Sequence, residues 1–206
     1  AQPHEVKMGH KFQMAKFEVP QNLWSAVRGG NPSKWKGPRN AVEMLTHGEA
    51  VWFCRLATKQ MRELKLIAAN EEIRLPSEAE WEYCCRAGTK TRWSFGDDET
   101  LLGDYAWFTG NAAGNDPPGG AKKGNPWGLF DMHGYIREWV SDAGNETYQG
   151  APTDGSSWTT GPATKRVLRS GSWKDKPAGT TSGVRLLVPA ETQDDAVGFR
   201  CVLAEV

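Results

Sequence analysis

The sequence predicts an α+β fold, with helices gathered early, antiparallel strands late and a large irregular middle. Three observations carry this. Two capping boxes head amphipathic runs in the first half of the chain, and the last segments return to alternating strand patterns. Gly 23, Pro 12 and Trp 10 mark long loops pinned by bulky anchors, unlike the composition of a helical bundle.

Taken in order, VKMGHKFQMAKFEV (6–19) alternates loosely and predicts one or two strands. Pro20 announces a helix whose apolar face, Val19, Leu23 and Val27, stops at Gly29 and Gly30. After the polar loop NPSKWKGPRN (31–40), Thr46 and Glu49 form a capping box. Ala50, Phe53, Cys54, Ala57, Met61 and Leu64 then follow at helical spacing, so a helix is predicted over about 47–65. Ile73 to Leu75 read as a short strand. Ser77 and Glu80 form the second box, and Trp81 with Cys84 or Cys85 supplies the buried face of a helix ended by Gly88. From 89 to 165 helical periodicity stops, leaving only short apolar runs such as Tyr105–Phe108 and Leu129–Phe130. A structureless loop of that length does not suit a compact domain, so aromatic anchoring and bound cations are the expected sources of order. KRVLRSGSW (165–173) and GFRCVLAEV (198–206) are strand-like, the latter placing Phe199, Cys201 and Leu203 on one face and Arg200 and Val202 on the other. The connection 175–196 between them reads as mixed and partly exposed.

The 206 residues suit one domain, 1–206. Lys+Arg and Asp+Glu both total 25, which removes the positive bias of nucleic-acid binders, so no nucleic-acid partner is expected. No run of eighteen apolar residues predicts a membrane span. The sequence begins Ala-Gln-Pro, which fits export after signal-peptide removal or a trimmed start, and the compartment stays open. Cys54, Cys84, Cys85 and Cys201 show no zinc or CxxC spacing and read as small buried hydrophobes. Neighbouring on a helix, Cys84 and Cys85 diverge by about 100° and do not suit a mutual bond.

Six stretches occur in order: FEVPQNLWSAV (17–27), AVEMLTHGEAVWFC (41–54), RLPSEAEWEYCCRAG (74–88), NPWGLFDMHGYIREW (125–139), RVLRSGSW (166–173) and GFRCV (198–202). Together they resemble the sulfatase-modifying-factor family, whose founding member is the formylglycine-generating enzyme, over roughly residues 4–204. The resemblance implies a formylglycine-generating-enzyme-like variant of the C-type lectin fold, low in regular secondary structure and often calcium-stabilised. In such a fold Trp127, Leu129, Phe130 and Met132 pack the core, while Gly128 and Gly134 permit tight turns. Asp131 and His133 look like an acid/base pair, but the resemblance gives their segment an architectural role.

In the family, the segment matching GYIREW supplies an Asn and a Glu to a calcium ion, which takes six to eight hard oxygens. Glu138 is present, whereas position 135 is Tyr. Glu138 is therefore either a calcium ligand or the partner of an Arg. Asn111, Asn115 and Asp116 are the candidates for a second calcium in the preceding loop.

The family's catalysts hold copper(I) on two cysteines after the Gly-Ser-aromatic strand, soft thiolates suiting that ion. Here the corresponding positions fall near Asp175 and Thr180, and no Cys lies between Cys85 and Cys201. No copper is expected. What the resemblance leaves is a scaffold that binds without reacting: a ligand-binding or accessory domain for a peptide, glycan or partner protein, hypervariable lectin-fold binders included. The candidate contacts are Trp107, Trp173, Lys174, Asp175 and Arg185. Arg169, Arg185 and Arg200 are equally candidates for structural ion pairs. The alternative is an oxidoreductase or maturation enzyme of the same family with altered chemistry at Asp175 or His133.

Overall fold

A computed structural model describes residues 3–114 and 117–206. Its elements run β1 (Phe12–Met14), α1 (Gln21–Arg28), α2 (His47–Glu63), β2 (Glu71–Arg74), α3 (Glu78–Arg86), α4 (Leu102–Tyr105), β3 (Arg137–Ala143), β4 (Lys165–Arg169), β5 (Leu186–Pro189), β6 (Val197–Gly198) and β7 (Val202–Glu205). They form two sheets. One is antiparallel in the order β1-β7-β2, and the other runs β5-β4-β3-β6, with β3 and β6 parallel.

Both capping boxes are present. Thr46 Oγ1 accepts from the Glu49 N–H while Glu49 returns to the Thr46 N–H, and Ser77 with Glu80 repeats the arrangement for α3. Two predicted faces need correction. Val19 is buried and Val27 packs against the core as predicted, but Leu23 points outward and α1 instead buries Gln21 and Trp24. The Gln21 amide is the reason: it caps Trp35 O and Ala41 O, so the helix turns a polar group inward. Leu64 lies beyond the end of α2 and is exposed.

The predicted irregular middle hides α4 and, more consequentially, β3. This strand is sandwiched. Trp139 joins the core cluster of Trp24, Phe53, Leu168 and Phe199, while Val140 joins that of Trp81, Cys85, Met132 and Val167. Trp24 stacks on Phe53 with centroids 5.5 Å apart, and Phe199 meets Phe53 edge-on at 5.3 Å. The connection 175–196 likewise contains β5.

The C-terminal stretch is not one strand. The chain leaves β6, crosses through Phe199, Arg200 and Cys201, and re-forms as the central β7 of the other sheet. Gly198 sits where a Cβ would collide with the Val42 carbonyl. Cys201 meets Cys54 with sulfurs 3.8 Å apart, and all four thiols are free. Both Cys84 and Cys85 are buried on α3.

Leu129 and Met132 pack in the core as expected, but Trp127 is 46% exposed, edge-on to an exposed Tyr83. Gly134 serves a close approach rather than a turn, since a Cβ there would strike the Trp107 carbonyl. Among the described residues no helix is long and apolar enough to cross a membrane.

Candidate functional site

The site is built around the turn that follows β4. Asp175 closes it: Oδ2 accepts from the Ser172 N–H at 2.8 Å and hydroxyl at 2.6 Å, and Arg137 Nη2 donates to Oδ1 at 2.7 Å. Its backbone carbonyl also receives the Thr109 N–H. Trp173 is thereby fixed, its N–H donating to Tyr135 O at 3.0 Å.

Beside this turn opens a cavity of about 690 Å³, within the size range of small-ligand sites. Trp35, Trp107, Tyr135 and Trp173 supply rings to its walls, and Ala41, Ile136 and Pro117 add apolar surface. Polar character comes from Asn40, Glu43, Thr109, Lys174 and Asp195. Lys34, Lys122 and Lys174 stand over Trp35, Trp107 and Trp173 at 4.9, 4.0 and 5.2 Å from the ring centroids.

Two carboxylates here differ in character. Burial alone would raise the Asp195 carboxyl, but hydrogen bonds and charge from Lys174 and Lys34 hold it at about 2. Burial instead pushes Glu43 up to about 7, against the backbone hydrogen bonds it receives and with Asp195 adding to the rise. Glu43 Oε1 accepts from the Trp35 N–H at 2.9 Å, while Oε2 has no partner. The buried indole N–H of Trp107 is also unpartnered. Both atoms are buried behind the cavity surface, so neither faces the open cleft.

Of the sequence-predicted contacts, Trp107, Trp173 and Lys174 line the cavity, and Asp175 buttresses it from behind. Arg185 does not belong to it. Its guanidinium grips Glu78 at 2.7 and 2.9 Å and Asn145 O at 2.7 Å, so it is a structural residue. Arg169 joins the same network through Glu78 and Glu82, both at 2.8 Å. Sequence reasoning missed Trp35, Glu43, Tyr135 and Asp195. Trp35 and Glu43 come from a polar loop and its exit, where only the tryptophan among charged and turn residues hinted at a role.

Thr180, near which the resemblance sets the second thiol, is fully buried, and its hydroxyl accepts from Trp93 Nε1 at 3.0 Å and donates to Pro177 O at 2.7 Å. His133 lies away from the cavity. Its Nε2 accepts from the Ser94 N–H and hydroxyl, so Nδ1 carries the proton and donates to Thr180 O at 3.0 Å. Burial pushes its pKa down to about 4, and the ring is neutral.

Glu138 does not fit a calcium ligand. Arg200 donates to both of its oxygens, at 2.7 and 2.8 Å, and Trp81 Nε1 adds a third bond at 2.8 Å, all fully buried. A cation would have to displace a bidentate guanidinium from a dry site. The Asn111 amide is also engaged, donating to Ala106 O and accepting from the Phe108 N–H. Asn115 and Asp116 lie outside the described residues. Among the described residues no group of three or more His, Cys, Asp or Glu converges on a possible metal position.

A family model described as "Sulfatase-modifying factor enzyme 1-like domain" matches residues 2–205. "Chaperone protein LppX" of Paenibacillus barcinonensis is 26% identical over 85% of this chain and 79% of its own length. "Inactive C-alpha-formylglycine-generating enzyme 2" of Mus musculus is 31% identical over 62% of this chain, the match spanning 42% of that protein. Among solved structures, "Treponema denticola variable protein 1" superposes with a TM-score of 0.83 at 25% identity, covering 95% of this chain and 84% of that one. The fold is thus the formylglycine-generating-enzyme-like variant of the C-type lectin fold.

Proposed function

The chain belongs to the sulfatase-modifying factor enzyme 1-like family, and from that premise we propose that it is a non-catalytic binding module. Its cleft would admit an apolar or aromatic group of a peptide, glycan or partner protein between Trp35, Trp107, Tyr135 and Trp173. One observation carries this reading: Asp175 and Thr180, near which the resemblance sets the copper thiolates, are engaged in structural hydrogen bonds beside an open cleft. Neither side chain is a copper(I) ligand by softness. Likeness to a protein named inactive and to one named variable supports the same reading.

Incubation with copper(I), oxygen and a cysteine-containing sulfatase peptide tests the catalytic half. The thiol mass is expected to stay unchanged, and an aldehyde product would overturn the proposal. Screening on peptide and glycan arrays tests the binding half, with signals lost in Trp173→Ala.

A second reading, an oxidoreductase or maturation enzyme with altered chemistry, draws on Glu43 alone. Its pKa of about 7 suits a general base. Stoichiometric iron or copper in purified protein, with turnover abolished by Glu43→Gln, would favour it.

A further inference from the structure

Tyr135 carries more of the cleft than its place in the wall suggests. Its N–H donates to Trp107 O at 2.8 Å and its carbonyl accepts from the Trp173 N–H at 3.0 Å, so its backbone joins the strands of chain bearing two of the cavity's indoles. Its hydroxyl donates to Pro117 O at 2.7 Å and accepts from the Ala41 N–H at 3.1 Å. One buried side chain therefore ties the segment after the 31–40 loop to the far side of the loop leading out of Trp107.

Its backbone has φ of 85°, in the left-handed region that bulky side chains rarely enter. Such a conformation persists only where the surroundings over-determine it, and outliers of this kind cluster at ligand clamps. Here the four hydrogen bonds just described do the determining. Three residues on, Glu138 is fully committed to Arg200 and Trp81. The segment that resembles a cation site thus has its carboxylate neutralised by a guanidinium, and a phenol at the position where the family's amide oxygen is expected.

We propose that the Tyr135 hydroxyl is the strut that positions the cleft wall, in place of a cation held by Glu138. The wall is then set by covalent geometry and two hydrogen bonds and does not respond to calcium. This rests on reading the cleft as the binding site, but its test contains no ligand, so the two can fail separately.

The test is hydrogen exchange and ¹⁹F NMR on the full chain labelled with 5-fluorotryptophan, comparing wild type, Tyr135→Phe and Tyr135→Asn. Removing the hydroxyl is expected to speed exchange of the Ala41 amide by about tenfold or more. It should shift or broaden the Trp107 and Trp173 resonances while leaving those of the core residues Trp24 and Trp81 in place, a pattern that general destabilisation does not produce. EDTA should leave wild type unchanged, and calcium should restore neither variant. Near-UV circular dichroism confirms that Tyr135→Phe, which keeps the ring, remains folded. Unchanged Ala41 exchange in Tyr135→Phe would overturn the proposal. So would EDTA reproducing the variant's behaviour in wild type, or calcium restoring protection in Tyr135→Asn, because either result makes Glu138 available to an ion.

Discussion

Glu43 is held in the cavity wall with one oxygen unpartnered, and burial raises its pKa from 4.5 to about 7. The sign follows from linkage: the folded state binds this proton more tightly, so the stability it contributes below pH 4.5 is lost as pH rises through about 7. Glu43→Gln, which mimics the protonated group, should match wild type at pH 4.5 and exceed it by on the order of 2 kcal/mol above pH 7. Thermal melts of both proteins across this range check it, and a constant difference in Tm would contradict it. Glu138→Gln removes the carboxylate that grips the buried Arg200 through two oxygens, leaving it only the longer 3.7 Å contact to Glu18 among its salt bridges, and should cost about 3 kcal/mol in a denaturant titration, with calcium giving no recovery. At this scale legibility followed distance in sequence. Trp173 and Lys174 share a turn and were readable as a unit, while Glu43 and Asp195 enter the wall from far-separated segments and carry no local pattern.

The helices were readable because their signals are local. Each capping box places two hydrogen bonds within four consecutive residues, and both are formed. The two boxes are not equivalent. Thr46 caps and does little else, whereas the buried Ser77 hydroxyl also donates to Gly155 O at 2.7 Å, tying α3 to a distant loop. Thr46→Ala should therefore cost about 1 kcal/mol and Ser77→Ala about 2 kcal/mol, read from urea midpoints at constant m-value. Equal costs would show that the Gly155 tie contributes nothing. Strand β3 escaped sequence reading for the converse reason. A strand buried on both faces loses its polar-apolar alternation. In REWVSDA the polar Glu138 and Asp142 are buried with Trp139 and Val140, their charges answered by Arg200 and by the N–H groups of Glu78 and Trp158. Those partners lie far along the chain, so nothing within the strand announces that its carboxylates face inward.

Across the whole molecule the two sheets depend on one passage of chain. Among the described residues β7 is the strand on which both β1 and β2 pair, and it is reached from β6 by Phe199, Arg200 and Cys201. Each of these is committed to the other half of the structure: Phe199 to the cluster around Trp139, Arg200 to Glu138 on β3, and Cys201 to the Cys54 thiol on α2. Losing this crossing would unpair one sheet and uncover the core of the other, so neither sheet can melt alone. Thermal unfolding should be a single transition in which far-UV circular dichroism and tryptophan fluorescence coincide and the calorimetric and van't Hoff enthalpies agree. Two separated transitions, or fluorescence change preceding loss of secondary structure, would show that the sheets are energetically independent. The same dependence governs the cleft, whose walls draw on segments as far apart in sequence as Trp35, Trp107, Tyr135, Trp173 and Asp195. A ligand spanning these segments contacts surfaces that exist only in the folded chain, so saturation at a hundred times Kd should stabilise the molecule by about 2.7 kcal/mol. That gain should move the single transition upward as a whole without splitting it.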